Sequence, residues 1–161
     1  MKIGVPMEPE GETRVAIVPG SMKKLLKAGF EVIVEKGAGI EANYSDSDYT
    51  DAGATIGERN DVMACEILIS IRLPDTSELS KGQIVACVAD PFRHPEKVKA
   101  CIDGGITLMS MDMIPRRLSR AQSMDVNSSQ DNLAGYKAVL LGAAHVPRGI
   151  PMMTTSAGTV R

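Results

Sequence analysis

Short apolar runs alternate with mixed, amphipathic segments along the chain. Several runs have strand length and β-branched content: Lys2–Val5, Glu31–Glu35, Ile67–Ile71, Ile84–Val88 and Thr107–Met111. The segments between them carry helix punctuation. Pro19-Gly20-Ser21 precedes Met22–Ala28 and Gly29 follows it, which predicts a capped helix closed by a glycine. Gly57–Glu66 and Pro95–Asp103 are further helix candidates, the second ended by Gly104-Gly105. Strand and helix in alternation predict βαβ units, hence an α/β fold with an open, mostly parallel sheet flanked by helices.

The last third changes character. A basic, polar loop, Ile114-Pro115-Arg116-Arg117-Leu118-Ser119-Arg120, leads into a stretch from Gln122 to Ala144 with few breakers. Leu133, Tyr136, Val139, Leu140 and Ala143 recur there at helical spacing, so an amphipathic helix covers at least its second half, and its apolar face needs a partner. From Pro147 to Arg161 prolines and glycines predict a linker. No internal repeat or low-complexity tract interrupts the pattern.

Composition narrows the function classes. A chain of 161 residues, 43% hydrophobic, predicts one compact domain with a real core. With 18 Lys plus Arg against 20 Asp plus Glu the formal charge is −2, so no electrostatic pull toward nucleic acid or anionic lipid is implied. Aromatics make up 3% and Trp is absent, which leaves little for base stacking. Cys65, Cys87 and Cys101 form no C-x-x-C pair and read as buried small hydrophobes in a reducing compartment. The N-terminus MKIGVPMEPE lacks a basic region followed by an apolar run, and no apolar stretch is long enough to span lipid. A cytoplasmic or matrix-side location is expected, and the Asn-x-Ser matches at Asn43 and Asn127 carry no glycosylation signal there.

Gly37-Ala38-Gly39-Ile40-Glu41-Ala42 follows a strand and fits G-x-G-x-x-A. The residues after it, Asn43 to Asp48, read as a loop with a new helix cap instead of the helix whose N-terminus would receive a pyrophosphate, so a plain glycine turn is the expectation. His94 and His145 stand about 50 residues apart and neither has metal-ligand company. Arg14, in Glu12-Thr13-Arg14-Val15-Ala16, follows the first strand at the end where open α/β sheets gather ligands. Its guanidinium either forks onto a substrate carboxylate or pairs with Glu10 or Glu12, and Arg72 offers the same two readings. The densest polar set is Arg117, Arg120, Gln122, Asp125, Asn127, Ser128, Ser129 and Gln130. It reads either as donors and acceptors for a nicotinamide carboxamide and ribose hydroxyls, or as a solvated loop and helix start capped by Ser123 or Asp125.

A resemblance adds to these readings. Ile3-Gly4-Val5-Pro6, Glu12-Thr13-Arg14-Val15-Ala16, Glu35-Lys36-Gly37-Ala38-Gly39 and Ala52-Gly53-Ala54 resemble the N-terminal domain shared by alanine dehydrogenase and proton-translocating nicotinamide nucleotide transhydrogenase. The resemblance spans the chain and is most specific at Ser119–Asp125 and Asn132–Ala138, which look like the transhydrogenase NAD(H)-binding alpha component; Pro151-Met152-Met153 and Ala157–Val160 look like that family too. It implies a Rossmann-like sheet over 1–121, a long interdomain helix region over 122–146, and a linker over 147–161 toward a nucleotide-binding domain outside this chain.

Carried over residue by residue, the family's loop over the nicotinamide becomes Arg117, Gln122 and Asp125, with Ser128 reaching the carboxamide. The resemblance implies that Arg117, Asp125 and Ser128 fix NAD(H) by its amide while Gln122 reaches toward NADP(H) on a partner component. It also implies a homodimer, membrane subunits as further partners, no nucleic acid, and hydride transfer from NADH to NADP⁺ only within the larger assembly. Two departures stand out. Pro115-Arg116-Arg117 replaces a single arginine after proline, so the loop's arginine is Arg116 or Arg117, and the glycine-rich nucleotide fold would begin only after Val160. An alanine dehydrogenase-like enzyme is the alternative: Arg14 fits its pyruvate-binding arginine and Arg72 its basic partner, but Asp90 occupies the position of its catalytic histidine and His94 lies four residues further on. A binding or dimerisation module without catalysis of its own is the reading from another class.

Overall fold

The structure is a computed structural model that describes residues 1–147, 153–156 and 158–160. Two units divide the chain, Met1–Ile114 and Pro115–Arg161.

The first unit is built on a parallel sheet ordered β3-β2-β1-β4-β5-β6: β1 Lys2–Val5, β2 Glu31–Glu35, β3 Thr55–Gly57, β4 Ile67–Arg72, β5 Ile84–Val88 and β6 Thr107–Ser110. This is the strand order of doubly wound, dinucleotide-binding folds, and its direction of winding reverses between β1 and β4. The central strands are apolar runs because parallel strands are covered on both faces. Val5, Val34, Leu68 and Val85 are fully buried. One core gathers Ile3, Val5, Val32, Val34, Met22 and Tyr49, and a second gathers Met63, Cys65, Leu68, Val85 and Cys87. All three cysteines are buried and free.

Four helices connect the strands: α1 Pro19–Lys27, α2 Asp46–Asp51, α3 Arg59–Met63 and α4 Pro95–Gly104. α1 starts one turn earlier than the apolar pattern predicts. Pro19 sits at its first position with Val18 as a cap that makes no side-chain bond, and Lys24 and Lys27 face its negative end. α2 stands where the sequence predicts a loop. Its polar sequence hides the capping box of Ser45 and Asp48, and its one apolar anchor, Tyr49, is fully buried with its hydroxyl donating to the Ile17 carbonyl at 2.9 Å. The helix expected over 57–66 is corrected to Arg59–Met63, because Gly57 pairs with Glu35 as the last residue of β3. α4 runs to Gly104 and ends on Gly105, whose backbone is left-handed (φ +69°). β6 stops at Ser110, and Met111–Met113 form a 3-10 turn.

In the second unit Gln122–Met124 form a 3-10 turn and α5 spans Val126–His145. The helix region expected from Gln122 is thus broken at Asp125, which has extended backbone and caps α5. Leu133, Tyr136, Val139 and Leu140 are all exposed. In place of the expected linker, Met153–Thr155 (β7) and Gly158–Val160 (β8) pair as an antiparallel hairpin. Residues 148–152, 157 and 161 of that stretch, Pro151, Met152 and Ala157 among them, lie outside the described residues. No described helix is long and apolar enough to cross a membrane.

Candidate functional site

Each unit presents one candidate. In the first, a cleft of about 450 Å³ opens at the C-terminal ends of β1, β2 and β4, where the strand order reverses and ligands of this fold class bind. Its walls are charged, and the charges are paired internally. The bulge between Ile69 and Arg72 leaves the Ile71 and Arg72 amides off the ladder, and both donate to the Glu8 carboxylate, at 2.5 and 2.9 Å. Burial raises the Glu8 pKa, against the lowering pull of those amides. Glu35, buried at the end of β2, accepts from the Met7 amide at 2.8 Å and from Arg59 at 3.0 Å, and Arg59 also forks onto Glu78 at 2.9 and 2.7 Å.

Arg14 and Arg72 have the same fate. Arg14 forks onto Glu12 through Nε at 2.7 Å and Nη2 at 2.6 Å, and Arg72 Nε donates to the same carboxylate at 3.2 Å. The Arg14 guanidinium holds the Glu12 carboxyl at about 2, far below its ordinary value. Of the two readings for these arginines, the structure shows the internal pair. Sequence reasoning missed Glu8, Glu35, Arg59 and Glu78. A glutamate ending an apolar strand was the only available signal, since its partner Arg59 stands on another element.

The glycine turn is likewise occupied from within. The Gly37 amide donates to Asp46 at 2.8 Å, and Ile40–Ala42 form a 3-10 turn, not a helix open to a phosphate. A Cβ on Gly39 would lie 2.6 Å from the Tyr49 ring, so packing explains that glycine. Asp90, which follows β5, has a left-handed backbone (φ +46°), and its amide donates to Asp112 at 3.1 Å. His94 stands at the exposed start of α4, 3.2 Å from Glu96.

The second candidate is the loop before α5. The structure brings Asp125 and Ser128 together: Asp125 Oδ1 accepts from the Ser128 amide at 3.0 Å and Oδ2 from its hydroxyl at 2.6 Å. These bonds, with help from Arg116, hold the Asp125 carboxyl below its ordinary range. Asp125, not Ser123, is the helix cap. The arginine beside Asp125 is Arg116, with Nε 3.6 Å from Oδ2. Arg117 and Gln122 are exposed, and neither side chain has a hydrogen-bond partner among the described residues. The loop therefore holds an ionised acceptor, a hydroxyl, an amide and a guanidinium within a few residues. That donor and acceptor set matches a carboxamide. It contains no cradle of backbone amides for a pyrophosphate, and the carboxylate-lined cleft of the first unit would repel one.

Known proteins resemble the chain over its length. Over 99% of that length it is 43% identical to the first of the chains that make up the NAD(P) transhydrogenase alpha subunit of Rhodospirillum rubrum, and it spans 44% of that relative. The solved structure of transhydrogenase from Sinorhizobium meliloti superposes with a TM-score of 0.91 at 40% identity, covering 99% of this chain and 49% of that one. A solved L-alanine dehydrogenase gives a TM-score of 0.69 at 28% identity, covering 75% of this chain and 34% of that one. The chain thus spans less than half the length of the curated relatives it matches. Residues 4–134 match the family described as alanine dehydrogenase/PNT, N-terminal domain, and the chain belongs to that family.

Proposed function

We infer that the chain is the N-terminal part of the NAD(H)-binding component of a proton-translocating transhydrogenase, and that it supplies the loop that positions nicotinamide for hydride transfer from NADH to NADP⁺. The observation that carries this reading is the reach of the transhydrogenase likeness over 99% of the chain, loop and α5 included, against 75% for L-alanine dehydrogenase. Two features of the first unit agree with it. Glu12 neutralises the arginines that an alanine dehydrogenase would need for its substrate carboxylate. Asp90, where such an enzyme would place a histidine, is held by Asp112 and Arg93 and offers no neutral acid/base group.

NADH, when bound, carries the hydride; the residues of this chain place it. Asp125 stays ionised near neutral pH because Ser128 and Arg116 stabilise its charge, so it remains an acceptor for the carboxamide amide. Each of its oxygens keeps a lone pair beyond the one given to Ser128. Arg117 donates to the carboxamide oxygen, and Gln122, with donor and acceptor on one exposed side chain, addresses the NADP(H) of the partner component. No proton has to move at this site, so positioning is the catalytic contribution. The chain works as a homodimer docked on an NADP(H)-binding component and membrane subunits, which carry proton translocation. Its functional divisions are 1–121, 122–146 and 147–161.

The test is NADH-dependent reduction of NADP⁺ by the whole assembly carrying Arg117→Ala or Asp125→Asn. Each change lowers the transfer rate by about tenfold or more, the scale on which misplaced reactants lose rate. An unchanged rate in both variants overturns the residue assignment. Calorimetric titration of this chain alone with NADH gives absent or millimolar binding, and micromolar binding overturns the placement of the pyrophosphate site outside it.

A further inference from the structure

The two successive arginines that open the loop have different surroundings. Arg116 Nε lies 3.6 Å from Asp125 Oδ2, and its Nη2 donates to Asp131 Oδ2 at 3.3 Å. Asp125 caps α5 and Asp131 stands on its second turn, so one guanidinium spans the head of the helix. Arg117 beside it makes no ion pair with any described residue. A planar fork can address two carboxylates at once, which a lysine ammonium on its single point of charge does poorly. Residues 117–124 lie between the two ends of this contact. Otherwise they are held by short backbone bonds from Leu118 to Pro115, from Ala121 and Gln122 to Leu118, and from Met124 to Ala121.

The geometry points to Arg116 as a positioning residue: it fastens the start of the 115–125 loop to the head of α5 through Asp125 and Asp131, and so presents Arg117 and Gln122 in one arrangement. Its consequence for hydride transfer rests on the reading of this loop as the nicotinamide-positioning element. The fastening itself is a property of this chain. Asp125 supplies the sheltered half of the contact, with a side chain 7% exposed, and Asp131 at 73% the solvated half. The doubled arginine thereby divides into a residue that holds the loop and a residue that the loop displays.

Amide hydrogen exchange on the full chain without nucleotide tests the fastening. Arg116→Gln is expected to speed exchange over residues 117–124 by about three- to fivefold, the range that a partly exposed ion pair supports. Exchange in β1, β2, β4 and β5 stays as in the parent. Arg116→Lys recovers part of the protection, and raising the salt to about 1 M narrows the difference between parent and Arg116→Gln. Asp131→Asn, an exposed helix position, removes half of the contact without touching the cap and gives a smaller increase over the same residues. Unchanged exchange at 117–124 in both Arg116→Gln and Asp131→Asn overturns the proposal. In the whole assembly Arg116→Gln raises the KM for NADH by the same three- to fivefold and leaves kcat near the parent value, because the competent loop is less populated. Faster loop exchange with an unaltered KM keeps the fastening and overturns the nicotinamide reading of the loop, so the two failures are distinguishable.

Discussion

Replacing Glu12 by glutamine removes the one charge that two arginines share. In the folded chain Arg14 forks onto the Glu12 carboxylate and Arg72 adds a further bond, and together they bring its pKa from 4.5 to about 2 against an opposing contribution from burial. A depressed carboxyl pKa means stability that is present above about 4.5 and is lost as the pH falls toward about 2. At about 1.4 kcal/mol per pH unit the ceiling is about 3 kcal/mol. Glu12 is only 9% exposed, but Arg14 and Arg72 are 43% and 55% exposed, and solvent screens their share. The expected loss for Glu12→Gln is therefore about 1–2 kcal/mol near neutral pH. Urea unfolding followed by circular dichroism, run on parent and variant from neutral pH down to about 2.5, measures it. The gap between the two should close as the pH falls, because a protonated Glu12 binds the arginines no better than glutamine does. A gap that stays constant over that range, or none near neutral pH, would refute the electrostatic origin of the pair.

Two further outcomes are expected of the first unit. Gly4→Ala puts a methyl against the Val62 carbonyl oxygen, with the Leu68 side chain 2.9 Å away, and because the first obstacle is backbone the loss should reach about 3 kcal/mol in the same unfolding assay. The thiols should be inert in the native state, since burial raises all three and pushes Cys87 up to about 12. A thiol reagent near pH 8 should label all three only after unfolding, and rapid native labelling of Cys87 would contradict its burial.

The parallel sheet is legible in the sequence because its central strands are short apolar runs with glycine or proline near their ends. β3 is not. Thr55-Ile56-Gly57 holds a single large apolar residue, and an edge strand of that length needs only one neighbour to pair with. α2 escapes the apolar pattern because five of the residues in Asp46–Asp51 are polar, although Ser45 followed three residues later by Asp48 carries a capping signal. The β7–β8 hairpin resembles a linker because its prolines and glycines lie beside short threonine-rich strands with little apolar alternation. At the loop before α5, residue types and spacing suggest the chemistry, and resemblance assigns the roles. Which arginine meets Asp125 has no local signature, since it depends on how the chain turns after Pro115. The carboxylate network of Glu8, Glu35, Arg59 and Glu78 joins residues up to 63 positions apart, a distance over which no local pattern carries information.

The backbone amides that a phosphate would seek in this strand order already have carboxylates of their own: Ile71 and Arg72 bind Glu8, and Gly37 binds Asp46. A tethered carboxylate competes at an effective concentration on the order of millimolar or more, so a free nucleotide at cellular abundance begins at parity and then meets repulsion from Glu10, Glu12 and Glu35. The first unit behaves as a nucleotide fold that supplies its own anions. In an assembly handling two dinucleotides, such self-saturation would keep a third from lodging where the sheet alone would invite it.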